Sequence, residues 1–470
     1  MLSLIFTFFQ LYTWLDDDPQ TALGLAVLTG YWLIHTLASG GEDIRRLRTR
    51  LRPSSTIVMN LNTAIAIGGT FILLDGGLDE WRGIYLLGLA ALHLPIAGYL
   101  FYRGGDRHAF GMLTLGLGLA TGAIAVPVQF SGEAVPIAWA AVGVVMVWLY
   151  GRLSNQFSLA SGVAFGLLAL WHLMLFEYPL DDFLRRTTPG DIPFVNGSGA
   201  VLGALLLSIA ASAYLARSKH VLNAAILIGA GLLAYAMPFE IADGWLIAGW
   251  SLITLALVAV NRVEPTGHPI YAVAGLALSA FGLLVTLAQV ATPSRLRVSL
   301  FSEIDHFPFW SHSTLALASL AAALVVAWRL HRRENSLISG LVLAAAAGLT
   351  VYMLSIGLVD EFQRRVDTDG GNLNAVREQA QVGLSILWTT FGVASFVAGI
   401  ILRRIGMRVF GLALLGIAIL KVFIVDLASL DASYRVISFI ALGILLLLAS
   451  YLYQRIMTRA NGDANAGASA

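Results

Sequence analysis

The chain has 470 residues, of which 58% are hydrophobic and 12% are charged, and it contains no cysteine. This balance, with a mean hydropathy of +0.78, excludes a set of soluble domains and predicts a membrane protein. A net charge of +1 argues against nucleic acid as a partner, and the lack of cysteine excludes disulfides, thiolate metal sites and cysteine nucleophiles.

Sixteen apolar runs predict membrane-spanning helices, because about 17–25 apolar residues cross a bilayer as a helix. They predict an all-α polytopic membrane bundle in a single transmembrane domain, residues 1–459, followed by a disordered cytoplasmic tail, residues 460–470. The first run lacks a basic leader and a cleavage pattern, so we interpret it as a retained span. The predicted spans lie near residues 1–15, 21–41, 55–74, 83–102, 109–130, 134–150, 157–176, 198–216, 220–238, 243–261, 269–291, 311–330, 336–358, 381–402, 407–425 and 432–453.

The distribution of charge predicts the orientation, because lysine and arginine collect in cytoplasmic loops. With the N-terminus inside, 19 of the 29 basic residues fall in inside segments, 9 fall outside and Lys421 lies within a span. Acidic residues show the opposite bias, with 6 of 28 inside. We therefore expect an even number of spans with both termini in the cytoplasm.

The longer polar connections all lie on the predicted outer side, near 177–197, 293–311, 359–380 and 426–435. They combine acids with aromatic residues and prolines, a composition suited to segments that lie on the membrane surface. The inside connections are short, so neighbouring helices should form antiparallel hairpins. No internal repeat is apparent in the sequence.

Lys421 is the candidate binding residue with the strongest signal, because an ionisable group within an apolar run is costly. It lies in the C-terminal hairpin, residues 407–455, whose turn holds Asp426 and Asp431 and whose second span opens with Arg435. One interpretation is structural: the lysine reaches the headgroups or pairs with a turn carboxylate. The other is a charged pocket that binds an anionic or sugar headgroup from the outer side.

His172 is another candidate binding residue, because Trp171, Glu177 and Tyr178 lie beside it at the predicted outer edge. Packing in an aromatic belt is the alternative interpretation. Asn60 and Asn62 are two residues apart, about 200° around a helix, so they cannot both face one site.

Neither a metal nor a cofactor is expected, since no span carries histidines or carboxylates at ligand spacing. Asp16, Asp17 and Asp18 follow the first run, where membrane glycosyltransferases that use lipid-linked sugars carry a catalytic aspartate. The stronger interpretation is structural, because Asp18 before Pro19 is typical of a helix N-cap followed by proline at the first helical position. The chain has no P-loop and no nucleophile elbow, so no enzyme activity is assigned.

Two stretches near the C-terminus have distinctive sequences. One has the order R-x-F-G-L, K-V-F-x-x-D and R-x-x-S-F-x-x-L-G within 407–455, and the other is L-S-I-L-W-T-T-F-G around Trp388. Both resemble a family of multi-spanning bacterial membrane proteins. The resemblance is clearest over residues 381–455, and the family is a domain of unknown function. It implies a multi-pass membrane fold and adds Trp388 to the candidate binding residues. The short connection 403–406 further predicts that Trp388 and the two threonines after it pack against the hairpin.

These features favour a cell-envelope protein of the bacterial inner membrane that is structural or binds through its outer face. Membrane lipids are the expected partners, together with a periplasmic or membrane protein. One alternative is a transporter or flippase of an envelope lipid or glycan precursor, to which Pro95, Pro127 and Pro238 within spans point. Another is a membrane-embedded glycosyltransferase acting on a lipid-linked sugar.

The predicted orientation can be tested with reporter fusions at positions 45, 185, 370 and 470. We expect cytoplasmic signals at 45 and 470 and periplasmic signals at 185 and 370, because the basic residues assign these loops to opposite sides. A periplasmic signal at position 470 would contradict the even number of spans.

Overall fold

In the computed structural model of the chain, residues 9–10, 13–14, 21–46, 52–75, 78–105, 108–153, 156–184, 192–263, 270–294, 308–331, 337–369, 373–423, 444, 447, 450 and 451 are described. Their regular structure is entirely helical. The α-helices are α1 (Thr21–Arg46), α2 (Pro53–Leu73), α3 (Arg82–Gly104), α4 (Ala109–Gln129), α5 (Ala134–Leu153), α6 (Gln156–His172), α7 (Gly197–Ala216), α8 (Lys219–Glu240), α9 (Asp243–Val263), α10 (Ile270–Val285), α11 (His312–His331), α12 (Leu337–Asp369), α13 (Leu373–Ile401) and α14 (Ile405–Lys421).

Thirteen of these helices, α1 to α13, are long and apolar enough to cross a membrane. They match the predicted spans from 21–41 to 381–402, so the all-helical, multi-pass membrane fold is confirmed. Helix α14 has 17 residues and coincides with the run predicted at 407–425. The runs predicted at 1–15 and 432–453 lie mostly outside the described residues, so the total of sixteen spans stays a prediction.

The chain divides into two compact units, Met1–Ala242 and Asp243–Ala470. The single transmembrane domain over 1–459 stays a prediction, and the predicted tail 460–470 lies outside the described residues.

Buried polar side chains join helices at the start of the first unit. The Asn62 side-chain amide on α2 donates to the Trp32 carbonyl at 2.9 Å and to the Thr36 hydroxyl at 3.3 Å, both on α1. Asn60 instead donates to the Thr56 carbonyl of its own helix at 2.8 Å. The two asparagines therefore face different sides, as their spacing predicts, and Asn62 has an interhelical role.

Both units contain the same arrangement of four helices, α5 to α8 in the first and α9 to α12 in the second. In each set the first helix packs against the second and third, and the third packs against the fourth. The second helix ends in a five-residue π-helix in both sets, Leu173–Glu177 and Thr286–Val290. The third helix has 20 residues in both. The structure therefore shows an internal repeat that the sequence does not.

Tyrosine hydroxyls at equivalent positions bond to the ends of the two π-helices. The residue after each π-helix accepts a hydrogen bond at its carbonyl from a tyrosine of the fourth helix. Tyr235 donates to the Tyr178 carbonyl at 2.6 Å, and Tyr352 donates to the Ala291 carbonyl at 2.8 Å. A π-helical end leaves carbonyls that need such partners, and these hydroxyls supply them.

The second residue of each third helix makes a further matching contact. Ser198 donates to the Glu177 carboxylate at 3.0 Å, and Ser313 donates to the Val290 carbonyl at 2.7 Å. In both repeats the acceptor belongs to the last residue of the π-helix. The repeat thus rests on a few hydroxyls and on backbone groups, and not on a shared motif.

Small residues allow α13 and α14 to approach closely. A Cβ added to Gly411 would lie 2.6 Å from the backbone nitrogen of Phe396 and 2.7 Å from the carbonyl oxygen of Gly392. Within lipid such packing, and not water expulsion, holds helices together. The predicted adjacency of the spans at 381–402 and 407–425 is therefore confirmed.

We expect Gly411→Ala to lower the stability of the protein by about 1–3 kcal/mol, because the added methyl group would clash with fixed backbone atoms. Gly416→Ala on the same helix is the matched control, since nothing lies within 4 Å of its added Cβ. Thermal unfolding of both variants in the same detergent tests this. Equal melting temperatures would contradict the close α13–α14 contact.

Candidate functional site

Each repeat places one buried carboxylate in the second half of its fourth helix: Glu240 is the last residue of α8, and Asp360 lies nine residues before the end of α12. Glu240 is 6% exposed and Asp360 is 3% exposed. Each accepts the backbone N–H of a phenylalanine that precedes the third helix: Phe194 donates to Glu240 at 3.0 Å and Phe309 donates to Asp360 at 2.9 Å. A buried carboxylate is costly unless it is hydrogen-bonded, so both loops are fixed at these points.

The Glu240 carboxylate is fully occupied. Its Oε1 accepts from the Tyr178 hydroxyl at 2.8 Å, and its Oε2 accepts from the Phe194 N–H. The Asn196 side-chain amide lies 3.1 Å from both oxygens. Because a carboxylate offers about four acceptor positions, Glu240 fastens the loop and is not available as a general base.

The same contacts account for two unusual features of the first unit. Phe194 has a φ of 63°, a left-handed conformation that is costly for a residue with a side chain, and the bond to Glu240 holds it there. Burial raises the pKa of the Tyr178 phenol, and the hydrogen bond to Glu240 raises it further. Tyr178 therefore stays protonated and keeps donating.

Asp360 holds its loop with fewer contacts. Besides the Phe309 N–H, it pairs with Arg364 one turn further along α12 at 3.1 Å. The Phe309 ring lies over Gly357, where an added Cβ would come within 2.6 Å of it, and it contacts the Trp310 ring edge-on at 5.3 Å. The aromatic pair is thereby set against α12.

A cavity of about 620 Å³ opens beside this aromatic pair, within the second unit. Its walls are mainly apolar, with Trp245 from the start of α9, Leu315 from α11 and Met353 from α12 beside the two rings. Trp245 and Trp310 are also 61% and 84% exposed, which places large apolar surface at this end of the helices. The volume lies in the range of about 300–1,000 Å³ found for small-molecule sites.

Lys421 is directed at a neighbouring helix, as predicted. Its ammonium donates to the Gln381 carbonyl and, at 2.6 Å, to the Ser385 hydroxyl, both on α13. The other members of the predicted charged pocket, Asp426, Asp431 and Arg435, lie outside the described residues. Binding by this group therefore stays a prediction.

Trp388 contacts α12 through its polar edge. The indole donates to the Ser355 hydroxyl at 2.9 Å. Thr389 and Thr390 are exposed. Most of the second half of the hairpin lies outside the described residues, so the packing of this stretch against it stays a prediction.

His172 packs against aromatic rings. Its imidazole meets Trp139 edge-on at 6.2 Å and Phe176 at 4.7 Å. Its Nδ1 is buried and finds no hydrogen-bond partner within the described ranges. Across those same ranges, no three histidine, aspartate or glutamate side chains come together to hold a metal ion.

Sequence reasoning missed Glu240 and Asp360. Both were counted among the acids of the outer flank, where a carboxylate ordinarily meets water. In the sequence each is only a carboxylate at the end of an apolar run. Its partner is the backbone N–H of a phenylalanine about fifty residues earlier, and a backbone N–H gives no signal in the sequence.

We expect Glu240→Gln to lower stability by about 2–3 kcal/mol, because the amide would turn N–H groups toward donors that now face a carboxylate. Glu177→Gln is the control, since the hydrogen bond that Glu177 accepts from the Ser198 hydroxyl can pass to an amide oxygen. Thermal unfolding of the two variants compares them. A stable Glu240→Gln protein would contradict the fastening role.

The comparisons with known proteins concern the C-terminal part of the chain. Residues 266–456 match the model of a family described as "Predicted membrane protein (DUF2339)". The match includes α10 to α14 and most of the cavity wall, and it confirms the resemblance found over 381–455. No curated protein and no solved structure matches the chain. Over residues 266–456 the chain is therefore similar to a family of predicted membrane proteins of unknown function.

Proposed function

We propose that the protein is a multi-pass component of the bacterial inner membrane that binds an envelope molecule, a lipid or a glycan-bearing lipid, at its outer face. The observation that carries this proposal is the pair of loops fixed by Glu240 and Asp360. Loops held on a rigid scaffold are where proteins concentrate binding groups. Basic residues assign these loops to the outer side.

Exposed apolar side chains at the same helix ends support binding over a purely structural role. Trp310 is 84% exposed, Ile192 and Val195 are each 71% exposed, and Phe176 is 69% exposed. Such side chains flank the fixed loops in both units. A surface of this kind suits a partner that is itself partly apolar, as an envelope lipid is.

The internal repeat favours a transporter or flippase as a second candidate. Many transporters are built from repeats of a few helices, and those with parallel repeats bind substrate between equivalent elements. The charge distribution gives α5 to α8 and α9 to α12 the same orientation. Pro95, Pro127 and Pro238 lie inside helices, as the sequence predicts. The aspartates of the glycosyltransferase alternative lie outside the described residues.

The proposal can be tested by extracting the protein into native nanodiscs and identifying bound molecules by mass spectrometry. We expect one class of envelope lipid or glycolipid at about one per protein, and its loss in Lys421→Met. The fold should survive, because Ser385 and the Gln381 carbonyl can still bond to each other at 3.2 Å.

Lys219→Met is the control, because this exposed lysine starts α8 at the predicted inner end. Retention of the same molecule by both variants would reject Lys421 as a binding residue. A wild-type protein that carries only bulk lipid in bulk proportions would reject the proposed function.

A further inference from the structure

The cavity in the second unit needs an apolar occupant. Its walls are mainly aromatic and aliphatic, and apolar cavities do not hold ordered water because water finds no partners there. The exposed Trp245 and Trp310 at its edge are typical of the membrane interface, where tryptophan concentrates. Acyl chains are the apolar groups available at that depth.

One polar atom in the wall points to a more specific ligand. The Ser311 hydroxyl is buried and lacks a hydrogen-bond partner in the part of the chain that the structure describes. The nearby Thr314 hydroxyl is already engaged with the Phe309 and Ser311 carbonyls. An unpaired buried hydroxyl is costly, and an acceptor from the ligand would relieve that cost.

The first repeat provides an internal comparison. Asn196 precedes α7 as Ser311 precedes α11, but its side chain is fully used, donating to Glu240 and accepting from the Gly199 N–H at 2.6 Å. The equivalent of Trp310 is Val195, which is much smaller. The polar groups in the loop of the first repeat thus bond to one another. In the second repeat the Ser311 hydroxyl is buried beside the cavity without a partner among the described residues.

We propose that this cavity binds one acyl chain of an outer-leaflet phospholipid, and that the Ser311 side chain rotates to donate its hydroxyl to the ester carbonyl of that chain. The chain lies between Trp310, Leu315 and Met353, and the headgroup stays at the rim beside His312. This inference rests on the proposed function and names the class of molecule that the outer face takes.

The test is photolabelling of the purified protein in nanodiscs made with phosphatidylcholine that carries a diazirine midway along one acyl chain. We expect labels on peptides that contain Trp310 and Met353. Ala318→Phe should lower this labelling about tenfold, because the ring fills space that the chain occupies. Ala318 is exposed, so the larger side chain is accommodated without disturbing the core.

Gly203→Phe is the matched control, since Gly203 holds the equivalent position on α7 and an added Cβ there meets nothing within 4 Å. This variant should label like the wild type. Ser311→Ala should lower labelling about fivefold with the ester lipid and leave it unchanged with an ether-linked analogue. A diazirine fatty acid in a third sample separates a free acid from a phospholipid as the source of the chain.

Two results would overturn the inference: labels spread evenly over lipid-facing helices, or full labelling of Ala318→Phe at Trp310 and Met353. Neither would affect the proposed function, which depends on a stoichiometric molecule in native nanodiscs. Conversely, cavity labelling without such a molecule would leave a general lipid site and reject the proposed function.

Discussion

The structure depends on the need to satisfy backbone groups where helices end near lipid. In the hydrocarbon region an unpaired N–H or carbonyl costs several kcal/mol, so helix ends need fixed partners. Here tyrosine hydroxyls close the π-helical ends, and buried carboxylates hold the loops that follow. These contacts link helices that are distant in sequence, and they position the loops that precede α7 and α11.

The two repeats share the same kind of contact but differ in the loops that these contacts hold. In the first, Glu240 and Asn196 satisfy one another and the loop is self-contained. In the second, Asp360 accepts the backbone N–H of Phe309 and pairs with Arg364, and the adjoining positions carry large aromatic side chains beside a cavity. The two repeats therefore share the contacts that hold their loops and differ in the side chains beside them.

The apolar runs predicted thirteen of the helices, most of them to within a few residues, because burial in lipid requires a long apolar segment whatever its neighbours are. Helices α12 and α13 extend well past the predicted spans at their polar ends. They also predicted that α13 and α14 are adjacent. The repeat could not be predicted, since it is defined by hydroxyls that meet backbone carbonyls, and nearly any sequence supplies those. Lys421 was identified because a charge in an apolar run is rare, whereas Glu240 at a flank looked ordinary.

The lengths of α12 and α13 have a consequence for access to the membrane surface. Helix α12 has 33 residues, and at about 1.5 Å per residue it is roughly 50 Å long, against about 30 Å for the hydrocarbon core. Its neighbour α13, with 29 residues, is also longer than a span requires. The connection between these two helices joins their polar ends, and the distribution of basic residues assigns it to the outer side. A large molecule approaching this end of the two helices therefore meets a helical pair before it reaches the lipid headgroups.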